Sequence, residues 1–376
     1  MGVIFIIYVV KSGDTLYSVS ELTGVPMWKI TFDNQLVNQE QLVVGQALLI
    51  LQPEESGSMR GDMYVTGYAY PFVEPYILEQ AFPALNELLI FSYGFTFEGE
   101  LVPPLQDELW MIEAAWEEGI EPLLVLTPFS NGAFNNQLVK VLVENEEIQQ
   151  RVIDNLLTTV EERGYSGVDI DFEYILPENR VDYAVFVGRV REVMNANGYK
   201  VSVALAPKTS ADQPGLLYEG MDYALLGANA DNVFLMTYEW GYTYGPPMAV
   251  APLNKVREVV EYALTEIPRE KILMGIPNYG YDWTLPYERG ITKARLIGNV
   301  EAVRIAADNG ASIQFSDIAQ SPYFTYVRNG IAHEVWFEDV RSIEAKLNMA
   351  REYELLGVGY WNLMRPFRAN WLLLEK

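Results

Sequence analysis

The residues best placed to do chemistry are three carboxylates at alternate positions in Gly167-Val168-Asp169-Ile170-Asp171-Phe172-Glu173. In an extended chain successive side chains point to opposite faces. Asp169, Asp171 and Glu173 therefore share one face, and Val168, Ile170 and Phe172 the other. Carboxylates packed this closely cannot all ionise freely, so at least one pKa should be raised, a cost that a protein usually tolerates only for function. The apolar partner face argues against a solvated edge strand. A Ca²⁺ site would instead draw on loop carbonyls and turn glycines.

Composition narrows the chemistry further. The chain has no cysteine and one histidine, His333, so thiolate nucleophiles, disulfides and histidine metal clusters are excluded. Acid–base work falls to carboxylates, and no metal or cofactor is implied. Lys plus Arg number 26 against 51 Asp plus Glu, a formal charge of −25. Such a body repels phosphate backbones and anionic lipid, so neither nucleic acid nor membrane is an expected partner. Aromatic residues make up 13% of the chain, enough for rings that stack on sugar faces as well as for a core.

The elements that must hold the carboxylates follow from the hydrophobic pattern. From Met63 onward short apolar runs alternate with longer helical stretches. The pattern predicts strands over 64–70, 88–95, 122–128, 167–173, 201–207, 232–238, 272–279 and 357–361. Helices are predicted over 107–118, 145–163, 181–197, 251–266 and 340–355. Eight strands with crossover helices imply an α/β fold, a (β/α)8 barrel, with the carboxylates pointing inward near the C-terminal ends of its strands. Residues 288–338 add material between strands seven and eight. Their strand-like runs 323–327 and 332–337 predict a small insertion beside the cleft.

Residues 3–52 read as a separate unit of strand, helix, helix, strand. Asp14 and Thr15 are candidate caps for a helix over 16–22, a second helix is expected over 27–34, and Gly45-Gln46 turns into a closing strand. Residues 53–62, polar and rich in Gly and Ser, read as a linker. The N-terminus lacks a basic segment and a small-residue cleavage site, so it does not read as a signal peptide. No stretch reaches the roughly 18 apolar residues of a membrane span.

The first unit resembles a LysM module over its whole length. The matching residues are Tyr8-x-Val10, Gly13-Asp14-Thr15-Leu16, Ile30, Asn34-x-Leu36 and Gly45-Gln46-x-Leu48-x-Ile50. The resemblance implies binding of N-acetylglucosamine in peptidoglycan or chitin, through Gly13, Asp14, Thr15 and Leu16 in one loop and Leu42 and Val43 in the other. Residues 63–376 resemble glycoside hydrolase family 18, the chitinase family. The resemblance rests on the Asp-x-Asp-x-Glu run, on Met236-Thr237-Tyr238, on Pro277-x-Tyr279-Gly280 and on Trp361. The pairing is similar to that of bacterial spore cortex-lytic N-acetylglucosaminidases.

That resemblance implies a retaining, substrate-assisted hydrolysis of β-1,4 bonds, a family exception to the two-carboxylate scheme. Glu173 is then the acid and base. Asp171 orients the substrate's acetamido group, with Asp169 beneath it sharing a proton or hydrogen bond, and Tyr238 meets the group from the other side. Trp361 is the expected floor under the sugar, with Met236, Glu239, Tyr279 and Trp283 as further substrate contacts; core packing is the alternative for Tyr279, Trp283 and Trp240. Ser166 and Glu239 depart from the family pattern, the first in a turn and the second where Asp or Asn is usual. Peptidoglycan and chitin both remain open as substrate, as does an inactive wall-binding barrel, against which the presence of Glu173 argues. A monomer at the spore coat, cortex or cell wall is expected.

Overall fold

The computed structural model describes residues 5–36, 42–52, 63–130 and 132–374; the linker reading for 53–62 lies outside them. The eight expected strands form as β1 Tyr64–Ala69, β2 Glu87–Phe95, β3 Glu121–Leu126, β4 Gly167–Ile170, β5 Lys200–Leu205, β6 Asn232–Leu235, β7 Ile272–Pro277 and β8 Gly357–Trp361. Each pairs in parallel with the next, and β8 pairs with β1 from Gly357↔Tyr64 to Trp361↔Tyr68, so the sheet closes into a (β/α)8 barrel. At the N-terminal end Lys200 closes the barrel, reaching Glu87 at 2.7 Å, Tyr64 at 3.0 Å and Glu121.

The five long helices form as Leu109–Glu117, Glu146–Arg163, Arg180–Ala196, Leu253–Glu266 and Val340–Glu352. In the second of these Val152, Leu156 and Val160 recur every fourth residue and are buried against the barrel. Asn145 starts that helix by accepting the amides of Glu147 and Ile148. Short helices Pro75–Ala81, Asn136–Val143, Tyr223–Asn229, Asn299–Asp308 and Arg368–Leu374 were not predicted. Four of these run only seven or eight residues, about two turns, too little length for the 3.6-residue period to stand out, and Asn299–Asp308 lies inside the stretch read as strand-like insertion.

The insertion is larger than residues 288–338. It opens at once after β7 with the strand Gly280–Leu285, which pairs antiparallel with both Arg295–Ile297 and Ile331–Trp336. Ser321–Arg328 and Gln314–Ser316 complete a five-stranded sheet, covered by the helix Asn299–Asp308. Its core includes Ile297, Ile313, Phe324, Val335 and Phe337.

The N-terminal unit has the expected order, with strands Phe5–Val9 and Ala47–Leu51 flanking helices Leu16–Thr23 and Met27–Asp33. Thr15 caps the first helix in a reciprocal capping box with Ser18. Asp14 instead accepts the Tyr8 hydroxyl and the Lys11 amide, both at 2.7 Å. No helix among the described residues is long and apolar enough to cross a membrane.

Candidate active site

The alternation holds beyond the end of β4. Asp169 sits on the strand itself, and the Asp171 amide donates to the Leu126 carbonyl at 3.0 Å, extending the pairing by one residue. Phe172 points outward and stacks on Phe95, Tyr183 and Phe186. That outward packing keeps Asp169, Asp171 and Glu173 facing inward.

Asp169 is the deepest of the three and fully buried. Ser202 on β5, its Cα partner in the sheet, donates to one carboxylate oxygen at 2.5 Å, and the Tyr68 hydroxyl donates to the other at 2.9 Å. Burial pushes Asp169 up to about 6, and these two donors hold it back from going further. The expected hydrogen bond between Asp169 and Asp171 is not present among the described residues; Asp169 is held by Ser202 and Tyr68 instead.

Asp171 is left with a buried Oδ1 that has no hydrogen-bond partner among the described residues. Burial raises its pKa well above the usual carboxylate range, and the charges of Glu173 and Asp169 add to the shift. An orphaned acceptor at the bottom of an open cleft is a position that an incoming N–H can satisfy. Glu173, nearer the mouth, is pushed up to about 7, first by burial and then by the charge of Glu239. It is thus protonated for part of the time at neutral pH, as a general acid requires.

Asp171 and Glu173 line a cleft of about 580 Å³ at the C-terminal face of the barrel, with Asp169 buried beneath it. Met236, Tyr238, Glu239 and Trp361 line it as well. The Trp361 ring meets Tyr68, Tyr70 and Phe91 edge-on, with centroids 5.2 to 6.1 Å apart. That packing fixes the indole against the wall.

Two expected sugar contacts are corrected. Trp283 is fully buried, and its indole N–H donates to the Gly245 carbonyl at 2.8 Å, so it belongs to the core. Tyr279 is also buried; its hydroxyl donates to Glu239 at 2.5 Å, while Tyr281 donates to the same carboxylate at 3.0 Å. Glu239 itself holds a left-handed backbone, φ 67°, a strained geometry for a residue with a side chain. Burial raises its pKa, and the two tyrosine hydroxyls oppose that shift. Ser166, the other departure, donates its hydroxyl to the Pro122 carbonyl at 2.9 Å and shapes only the turn into β4.

The sequence reading missed Tyr68, Ser202, Tyr70, Tyr174, Tyr218 and Tyr242. Of these only Ser202 lies outside the cleft lining. A signal was present for β1 and the residue after it: Tyr64, Thr66, Tyr68 and Tyr70 place hydroxyls at alternate positions, as a strand with a polar inner face would.

In the N-terminal unit, Gly13 and Thr15 are exposed and Asp14 is half-buried. Leu16 and Val43 are corrected as sugar contacts. Leu16 is buried in the unit's own core with Val19 and Ile30. Val43 is buried among Ile297, Ile313 and Phe324 of the barrel insertion. Leu42 packs half-buried at the edge of the unit's core.

Comparison with known proteins matches this architecture. The family model for glycosyl hydrolases family 18 matches residues 130–365, and that for the LysM domain matches residues 8–50. The chain is 37% identical to a cortical fragment-lytic enzyme of Bacillus subtilis (strain 168), covering 98% of this chain and 97% of that protein. Among solved structures, the spore cortex-lytic enzyme SleL of Bacillus megaterium QM B1551 superposes with a TM-score of 0.92 at 33% identity, covering 98% of this chain and 96% of that one. A chitinase from Chromobacterium violaceum ATCC 12472, TM-score 0.77 and 23% identical over 83% of this chain and 98% of its own, shares the fold.

Proposed function

Since this chain belongs to glycosyl hydrolases family 18, we propose that it is a glycosidase of the spore cortex, cleaving the β-1,4 bond on the reducing side of N-acetylglucosamine in peptidoglycan. The cortex assignment follows relatives that share more than a third of the sequence end to end. The chitinase structure, at 23% identity, shares the fold and carries no substrate argument.

The observation that carries the mechanism is the unpartnered Asp171 oxygen beside a Glu173 held near neutrality. Glu173 gives its proton to the glycosidic oxygen as the C1–O bond breaks. The substrate's acetamido carbonyl oxygen bonds to C1 from the opposite face, forming an oxazolinium ion. Asp171 accepts the acetamido N–H on its free oxygen, and the positive charge that grows on that group favours the ionised carboxylate that offsets it. Tyr238 donates to the acetamido oxygen, and Trp361 forms the apolar floor. Glu173, now a carboxylate, takes a proton from water as the water oxygen attacks C1 and opens the ring. Two inversions at C1 leave the β configuration.

Tyr68 and Ser202 hold Asp169, which keeps a partly ionised group beneath Asp171 without consuming its free oxygen. Proton NMR of the first product released tests the scheme. A β-anomeric N-acetylglucosamine reducing end supports it, and an α-anomer rules it out. We assign residues 3–52 to polymer binding and 63–376 to catalysis.

A further inference from the structure

The N-terminal module is fastened to the catalytic body by two sets of contacts. On one side its second loop enters the insertion. Val43 is buried in the insertion's apolar core, and the Ile313 amide donates to the Val44 carbonyl at 2.8 Å. Gly45 adopts φ +84°, and a Cβ built there would lie 1.8 Å from the Ile313 carbonyl oxygen, so only glycine permits this approach. Arg341 donates to the Gly45 carbonyl at 3.1 Å while its guanidinium lies 4.3 Å from the Phe315 ring.

On the other side the contact is with the C-terminal helix. The Arg368 amide donates to the Gln35 side chain at 2.7 Å, and its guanidinium covers Phe32 at 4.3 Å and faces Asp33 at 3.7 Å. Leu49, fully buried, belongs to the barrel's apolar core, whereas Val10, Leu16, Val19, Ile30 and Leu48 form a separate core inside the module. A module that swings on a linker needs none of this, and units joined through apolar and hydrogen-bonded contacts lose their independent motion.

We propose that the module is a fixed extension of the substrate-binding surface. It holds an N-acetylglucosamine-containing glycan strand at one distance and orientation from Glu173 and does not search as a tethered reader. This rests on the reading that the module binds polymer and that Glu173 catalyses. Docking then governs how productively bound polymer is presented, while the module's separate core leaves its own affinity for polymer intact when docking is lost.

The test uses the full chain, with Gly45→Glu to force the loop off Ile313 and Arg341→Ala as a milder release. Amide hydrogen exchange at Ile313 reports docking directly. Retention on insoluble cortex peptidoglycan reports binding. The ratio of product release from that polymer to hydrolysis of a soluble N-acetylglucosamine oligosaccharide reports presentation.

In the wild type the Ile313 amide is expected to exchange as slowly as the barrel strands, and Gly45→Glu to accelerate it by about a hundredfold or more. The release ratio is expected to fall about tenfold while retention stays within about twofold. Arg341→Ala should show the same trends at smaller size, which covers the case of a Gly45→Glu chain that does not fold. Fast Ile313 exchange in the wild type, or an unchanged ratio in both variants once exchange shows them undocked, overturns the proposal. A wild type that does not bind polymer overturns instead the reading of the module, and one that hydrolyses no soluble oligosaccharide overturns that of Glu173.

Discussion

The Tyr279 hydroxyl lies 2.5 Å from a carboxylate oxygen of Glu239, so a tyrosine that reads from sequence as a sugar wall instead fixes an acid at the rim of the cleft. Glu239 in turn raises the pKa of Glu173, after the larger effect of burial. Removing that charge in Glu239→Gln should lower the Glu173 pKa. The protonated acid is then lost at lower pH, and the alkaline limb of kcat/KM moves towards acid. A pH–rate profile checks this; a limb that stays in place or moves to higher pH contradicts it.

Glu173→Gln removes the proton donor while keeping the shape of the side chain. Turnover of an oligosaccharide with a poor leaving group should fall about a thousandfold. Binding of the same ligand to the variant, measured by calorimetry, should change far less. A comparable loss of binding would point to a structural role.

Asp171 should matter to rate and stability in opposite directions. Its pKa is raised in the folded state, so the stability it contributes is present below the unfolded carboxylate pKa and is lost as pH rises towards the folded value. At pH 7 the wild type carries that cost, and Asp171→Asn does not. The variant is therefore expected to melt about 2 °C or more higher at pH 7, with the difference vanishing near pH 4. Its turnover should fall about a hundredfold or more. A lower melting temperature at pH 7 would count against the burial argument.

Val43 belongs to the insertion's core as well as to the module's loop. Val43→Asp buries an unpaired carboxylate there and should cost about 3 kcal/mol of stability. Deletion of residues 1–52 should likewise lower the melting temperature of the remaining chain, because it removes Val43 from the insertion's apolar cluster and the loop that meets Ile313. Thermal unfolding of both forms decides the point. Melting unchanged from the wild type would place Val43 and the module outside the barrel's structure.

The barrel was legible because each strand is a short apolar run and most of its partner helices are long enough to show their period. The catalytic run was legible for a stronger reason: three acids alternating with Val168, Ile170 and Phe172 specify the inner and outer faces at once. Trp283 and Tyr279 were misread because an aromatic beside a cleft and one beneath it look alike in sequence. The strand Gly280–Leu285 and the residue before it decide between them: the Trp283 indole donates to the Gly245 carbonyl and the Tyr279 hydroxyl to Glu239. Val43 was misread for a different reason. A loop residue that is apolar fits sugar contact and interface equally well, and its partners in the insertion lie more than 250 residues away along the chain.

The most direct test of the glycosidase reading is mass spectrometry of the products released from purified spore cortex peptidoglycan by the wild type and by Glu173→Gln. The expected result is muropeptides with N-acetylglucosamine at their new reducing ends from the wild type, and almost none from the variant. Muramic acid at the new ends, or equal release by the two proteins, would contradict the assignment.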